Sequence, residues 1–355
     1  MQRGQKIEAI QALRGVAVLA VVAFHSLLVE RKYSGGDSLM PDWFVFGESG
    51  VDLFFVISGY VMVTVTHGRF GRIKEVTRFV WGRVTRIYPT YWFYFLLTLS
   101  VLMVKPNWVN TSLGEQSNLL ASFLLLPTDG LPLVMVAWSL IHELWFYLVF
   151  AVLLLLPERT LLLSLSCWAA AVVAVNLALD LSALSPAARI MAHPYTCEFI
   201  IGSFGALLVR AEYISRVPSR LFWAVLMAVA VCLIQAGAAG VLGADRLNRA
   251  LVLGTLYGAL LAACVVLEAR GSLRMPAFLR QIGDISYTVY LSHVLVLSAI
   301  GRLWVAIGPV NGLGDNVLAC LAMITAVLLY GWIGYRLIEK PTLDLSRRLR
   351  TRLIG

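Results

Sequence analysis

Arg14 and His25 are the two ionisable side chains in the apolar run from Ala9 to Val29, a length that spans a bilayer as a helix. A charge near the bilayer centre costs at least about 2.5–3.5 kcal/mol. Eleven residues at about 100° each bring the direction back to within about 20°, so the two side chains share one face, about 16 Å apart along the axis. Taken singly, Arg14 reads as a snorkelling cation and His25 as a satisfied core histidine. Together on one face they point to a polar cavity inside the membrane.

Further polar residues recur in apolar surroundings. Asp52, in Gly50-Val-Asp52-Leu-Phe-Phe-Val-Ile-Ser58-Gly59, falls at the depth of His25, where a carboxylate can fix an imidazole tautomer and raise its basicity. The plain alternative is a helix N-terminus stabilised by its dipole. Arg83 and Arg86, in Arg83-Val-Thr-Arg86-Ile-Tyr88-Pro89, share a face if that stretch is helical, and two guanidinium forks beside aromatic residues suit a phosphate or pyrophosphate. Arg69 to Arg78 read as an ordinary positive-inside loop. Trp138-Ser139-Leu-Ile-His142-Glu143 puts a carboxylate well inside the membrane, where it needs a partner or a proton; Arg14, His25 and His142 are all open as partners. Glu198 is a similar case nearer the outside. Ser286, Tyr290 and His293 fall on one helical face with Tyr287 beside them, expected in the cytoplasmic half.

No metal site is expected. His142-Glu143 begins like the zinc motif H-E-x-x-H, but Phe146 and Tyr147 end the likeness. The five cysteines stand singly without C-x-x-C spacing and read as small packing residues.

The elements that must position these residues follow from composition. The chain is 59% hydrophobic and 14% charged over 355 residues, which excludes an ordinary soluble globular protein. Ten apolar spans can be marked, at about 9–29, 50–66, 88–104, 134–156, 160–180, 195–209, 221–243, 250–267, 286–306 and 316–338. With the N-terminus inside, 21 Lys and Arg fall in cytoplasmic segments and 7 in external ones. The expected fold is therefore an all-α polytopic membrane protein, about ten transmembrane helices in one bundle with both termini cytoplasmic. The membrane domain is expected over 1–345, with a short basic tail over 346–355 resting on anionic lipid and no soluble catalytic domain attached. No cleavable signal pattern precedes the first span, which should remain as an anchor. The stretch Asn118–Pro127 is expected to dip into the interface as a short amphipathic helix. The net charge of +9 sits in short loops, so topology accounts for it and nucleic acid is not an expected partner.

With these pieces in place, the chain resembles the acyltransferase-3 family of bacterial membrane proteins, most closely its exopolysaccharide O-acetyltransferase branch. The matching residues are Leu13-Arg14-Gly15 with His25 eleven on, Gly50-x-Asp52-Leu-Phe-Phe-x-Ile-Ser58-Gly59-Tyr60, Arg83-x-x-Arg86-Ile-Tyr88-Pro89, Trp138-Ser139-Leu-x-x-Glu143, Ser286-Tyr287-x-x-Tyr290-x-x-His293, and Glu339-Lys340-Pro341. The resemblance implies transfer of an acyl group, usually acetyl, from cytoplasmic acyl-coenzyme A to a sugar hydroxyl of a polysaccharide or lipid-linked oligosaccharide in the bacterial inner membrane. It implies that His25 and Arg14 are catalytic and that Arg83 and Arg86 belong to the donor site.

On that reading Arg14, Tyr88, Ser286, Tyr287 and His293 join the acetyl-coenzyme A site. Asp52 or Glu143 orients the imidazole. Trp138, Ser139 and Glu198 meet the acceptor. The thin pantetheine arm rises through the bundle and brings its thioester to His25, which takes the acceptor proton during direct attack or is itself acylated first. The competing class is a proton-coupled transporter or sugar flippase, which also uses intramembrane Arg, His, Asp and Glu; the inverted halves such carriers often show are not evident here.

Overall fold

The computed structural model describes residues 7–34, 39–109, 117–307 and 313–353. Arg3 and Lys6, counted above with the inner charge, lie outside the described residues, as does the end of the tail at 354–355. The chain forms α1 (Glu8–Tyr33), a 3-10 segment Asp42–Ser49, α2 (Gly50–Thr66), α3 (Ile73–Val104), a short α4 (Leu119–Leu124), α5 (Trp138–Leu153), α6 (Leu161–Ala178), a short α7 (Pro186–Met191) and α8 (Tyr195–Arg210). Then come α9 (Ser219–Ala238), α10 (Arg246–Ala269), α11 (Ala277–Ile307) and α12 (Leu313–Gly334), which passes through a π-helical turn Tyr335–Glu339 into α13 (Lys340–Leu353).

Among the described residues, nine helical segments are long and apolar enough to cross a membrane. The tenth expected span is α8, which has 16 residues and lies between α2 and α10. The protein is an all-α, multi-pass membrane bundle. In lipid every backbone group must be satisfied internally, and helices built from these apolar runs do that. α2 is the most enclosed span, and α9 touches little besides α10 and presents its apolar surface outward.

Two close crossings set the centre of the bundle. α1 and α11 run side by side; a Cβ on Gly283 would collide with the Gln11 carbonyl, and one on Gly15 with that of Leu279. α2 and α8 meet in the same way through Gly59 and Gly202, against the carbonyls of Phe199 and Val56. Small residues let membrane helices approach to backbone contact, where dispersion replaces the missing hydrophobic drive. The α1–α11 contact fixes what Arg14 and His25 face.

Two expected boundaries move. α3 begins at Ile73 rather than near 88, so Arg83 and Arg86 do sit on a helix, ahead of Pro89. The tail is helical from Lys340, and α13 packs along the first half of α3, with Ser346 Oγ donating to Thr85 Oγ1 at 2.7 Å. The segment expected to dip as a short helix is α4, and it reaches the middle of α3. Its last carbonyls would be costly in hydrocarbon. Tyr88 and Tyr91 donate their hydroxyls to Leu124 O and Ser122 O, and Trp92 Nε1 donates to Phe123 O at 3.0 Å.

Candidate active site

α1 presents Arg14 and His25, the two ionisable side chains of its apolar run, to α11. Arg14 donates from Nε and Nη2 to Ser286 Oγ at 3.2 and 3.0 Å. Eleven residues on, the His25 and His293 rings meet edge to face, centroids 4.8 Å apart, with His25 Nδ1 3.2 Å from His293 Nε2.

The carbonyls assign the protons on this pair. His293 Nδ1 lies 2.7 Å from Tyr290 O and 3.2 Å from Val289 O, so that nitrogen carries the hydrogen and Nε2 accepts. His25 Nδ1 lies 3.0 Å from Val21 O as well as beside His293 Nε2. Both neighbours are acceptors, so His25 Nδ1 is the donor. His25 Nε2 is left with a lone pair and no hydrogen bond to the described residues. His293 is fully buried and His25 only half-buried. This is how an imidazole base is held: one nitrogen anchored, the other free.

At the Arg14 level the bundle encloses a narrow cavity of about 90 Å³. α1, α2, α3, α5 and α11 line it, through Arg14, Ser58, Arg83, Arg86, Glu143, Tyr147, Ser286 and Tyr287. Glu143 accepts from Ser58 Oγ at 2.9 Å and from the Tyr147 hydroxyl. Arg86 pairs with Glu339 at 3.5 Å, and Glu339, fully buried at the π-helical turn, also accepts from Thr288 Oγ1 at 2.6 Å. Arg83 has no carboxylate partner among the described residues and lies over the Phe79 and Tyr147 rings, with its Nε lacking any hydrogen bond. Three guanidinium groups thus face two carboxylates, Glu143 and Glu339. An unpaired cation inside a membrane calls for an anion.

The cavity ends at Ser139 and Tyr290 and does not include His25. The Tyr290 hydroxyl bonds to Ser139 Oγ at 2.7 Å and to Val136 O at 3.0 Å, and Phe54 stands against its ring. Tyr290 is three residues from His293, ring centroids 5.8 Å apart, so one layer of side chain separates the arginine cavity from the histidine pair.

The profile of a protein family described as an acyltransferase domain matches residues 7–336. The chain belongs to the acyltransferase-3 family. It is also 30% identical over 324 residues to the exopolysaccharide production protein ExoZ of Rhizobium meliloti (strain 1021), covering 86% of this chain and 93% of that protein. No solved structure matches. As a multi-pass member of an acyltransferase family, the chain is a membrane acyltransferase.

Within this acyltransferase fold several expected placements change. Asp52 does not reach His25. It is fully buried in a two-pronged pair with Arg249, at 3.1 Å to Nε and 2.8 Å to Nη2. Arg249, read from sequence as part of an external loop, lies inside α10 and is 7% exposed; it also holds Glu48 at 2.6 Å. Glu143 is likewise taken by Ser58 and Tyr147, so neither carboxylate orients the imidazole, and that role passes to His293 and Val21 O. His293, grouped by sequence with the donor site, sits with His25 because α1 and α11 run parallel and Tyr290 closes the cavity below it. Tyr88 faces α4 instead of the polar cavity.

Ser139, Ser286 and Tyr287 do line that cavity. Trp138 and Glu198 belong elsewhere: Trp138 packs against His142 and Tyr195, and Glu198 is buried in the Asp52–Arg249 neighbourhood. Removing one partner of a buried ion pair leaves the other uncompensated, at about 3–5 kcal/mol. Arg249→Met is therefore expected to lower the melting temperature in detergent markedly; an unchanged melt would show that the cluster does not hold α2 to α10.

Sequence reading missed Tyr147, Thr288 and the part played by Glu339. Tyr147 lies one turn beyond Glu143, the i,i+4 spacing at which a hydroxyl reaches a carboxylate on the same helix. Glu339 carried no such signal, since its partners are 51 and 253 residues away.

Proposed function

We propose that this chain is a bacterial inner-membrane O-acyltransferase, with both termini cytoplasmic, that moves a small acyl group, acetyl first among them, from acyl-coenzyme A to a hydroxyl of an exopolysaccharide or its lipid-linked precursor. The acceptor class is suggested by the name of the ExoZ relative. The observation that carries the reading is a surplus of guanidinium charge one side-chain layer away from an imidazole with a free Nε2.

Arg83 and Arg86 would take the donor phosphates, and Arg14 with Ser286 the first polar groups of the pantetheine arm. The cavity admits a thin chain and not a ring system. Phe54 and Tyr290 must part for a thioester to pass upward. His25 Nε2 would then accept the proton of the acceptor hydroxyl as its oxygen attacks the thioester carbonyl. The C–S bond breaks, the ester forms, and His25 returns the proton to the leaving thiolate. While protonated, His25 keeps Nδ1–H on Val21 O and His293 Nε2, so the ring stays in place through the transfer.

The test uses purified protein and labelled acetyl-coenzyme A. Free thiol should be released slowly alone and faster when acceptor saccharide is added. No thiol release under either condition would overturn the assignment of the donor.

A further inference from the structure

A second cavity, of about 360 Å³, opens on the flank of the bundle between α3, the α4 turn, α5 and α7. Its lining is almost wholly apolar, and its rim residues Val84, Leu126, Leu148 and Met191 are exposed, so in a membrane this groove faces lipid. Three features set it apart from ordinary lipid-facing surface. Arg83 and Tyr147 line both this groove and the polar cavity, forming the wall between them. Arg83 is the groove's only cation among the described residues and has no counter-charge. Two N–H donors of its lining residues, Arg83 Nε and Trp145 Nε1, are buried just behind the groove surface and have no hydrogen-bond acceptor among the described residues. Orphaned donors in apolar surroundings are costly. An occupant toward which the Arg83 and Trp145 side chains turn satisfies both; it brings an anionic oxygen, an ester-like oxygen and a hydrocarbon chain.

We infer that the groove is a specific site for one anionic glycerophospholipid, its phosphate on Arg83, an ester carbonyl within reach of Trp145 and an acyl chain along Val84, Leu126 and Leu148. Depth decides between this and a lipid-linked acceptor. Arg83 is one turn from Arg86, which lies beside Tyr287 at the Arg14–Ser286 level, about 16 Å along α1 from His25. A sugar carried by a lipid anchored there would stop short of the base, whereas a resident phospholipid has nothing to deliver. Arg83 then neutralises a lipid phosphate from the bilayer side and a donor phosphate from the cavity side.

The proposal is tested by native mass spectrometry of the full chain released from nanodiscs of equal phosphatidylglycerol and phosphatidylethanolamine. One phosphatidylglycerol per chain should be retained, with a preference of about tenfold or more, the scale of one charge-assisted hydrogen bond. Arg83→Gln should erase the preference, and the rim substitutions Leu148→Trp and Val84→Trp should abolish retention while the protein still binds coenzyme A. Equal retention of both lipids, unchanged retention in the rim variants, or displacement of phosphatidylglycerol by equimolar polyprenyl phosphate would each overturn the assignment. The readout needs no acyl transfer, so it stands or falls separately from the proposed reaction.

Discussion

His25→Ala is expected to leave a folded, membrane-inserted protein that binds coenzyme A normally and transfers no measurable acyl group. The ring's contacts are few: Phe24 beside it, His293 at its edge and the Val21 carbonyl. Losing them should cost little stability, and a half-buried position can admit water in its place. Loss of a positioned general base costs about 10²–10⁴ in rate, and the loss should fall on kcat and not on donor affinity, because His25 lies outside the arginine cavity. Rate is read as acetyl transfer to saccharide and affinity by titration calorimetry. If His25→Ala transferred acetyl at the native rate, the imidazole would have no part in the chemistry.

Arg83→Gln should weaken coenzyme A binding about 10- to 150-fold, the equivalent of the roughly 1.5–3 kcal/mol of one charge-assisted hydrogen bond. It should do so without lowering the melting temperature, since Arg83 has no ion-pair partner among the described residues to strand. Arg86→Gln should differ. It also weakens binding, but it strands Glu339, which is fully buried, and a stranded buried charge costs about 3–5 kcal/mol. The two arginines look equivalent in sequence, three residues apart on one helix. The structure separates them into a cation with no carboxylate partner among the described residues and a paired one, and the combination of calorimetry and thermal melts reads that difference. Equal effects of both substitutions on stability, or unchanged affinity in Arg83→Gln, would count against the donor site.

What the sequence discloses here is set by the range of the interaction. Arg14 and His25 could be placed on one face because both lie on one helix whose period is fixed, and both do face α11. Arg83 and Arg86 could be paired with an anion site by the same local rule once their stretch was taken as helical. Partners across helices were not legible. Asp52 was matched to His25 by depth alone, but depth does not give rotation between helices, and Asp52 turns toward Arg249 on α10, 197 residues away. His293 was assigned to the donor face because it repeats the spacing of Ser286 and Tyr290. The Tyr290 ring, bonded to Ser139 from α5, cuts that face in two, and no pattern within α11 records it. Glycine is informative where crossings are tight: a small pair such as Ser58-Gly59 lets a neighbouring helix approach closely, and Gly59 does meet α8.

The most direct measurement is a cryo-electron microscopy structure with a non-cleavable acetyl-coenzyme A thioether. Its phosphates should lie against Arg83 and Arg86, with Tyr290 swung from Ser139 and the acyl carbonyl beside His25 Nε2. Density for the acyl end lodged at Glu143 under an unmoved Tyr290, or phosphates bound away from α3, would contradict the arrangement.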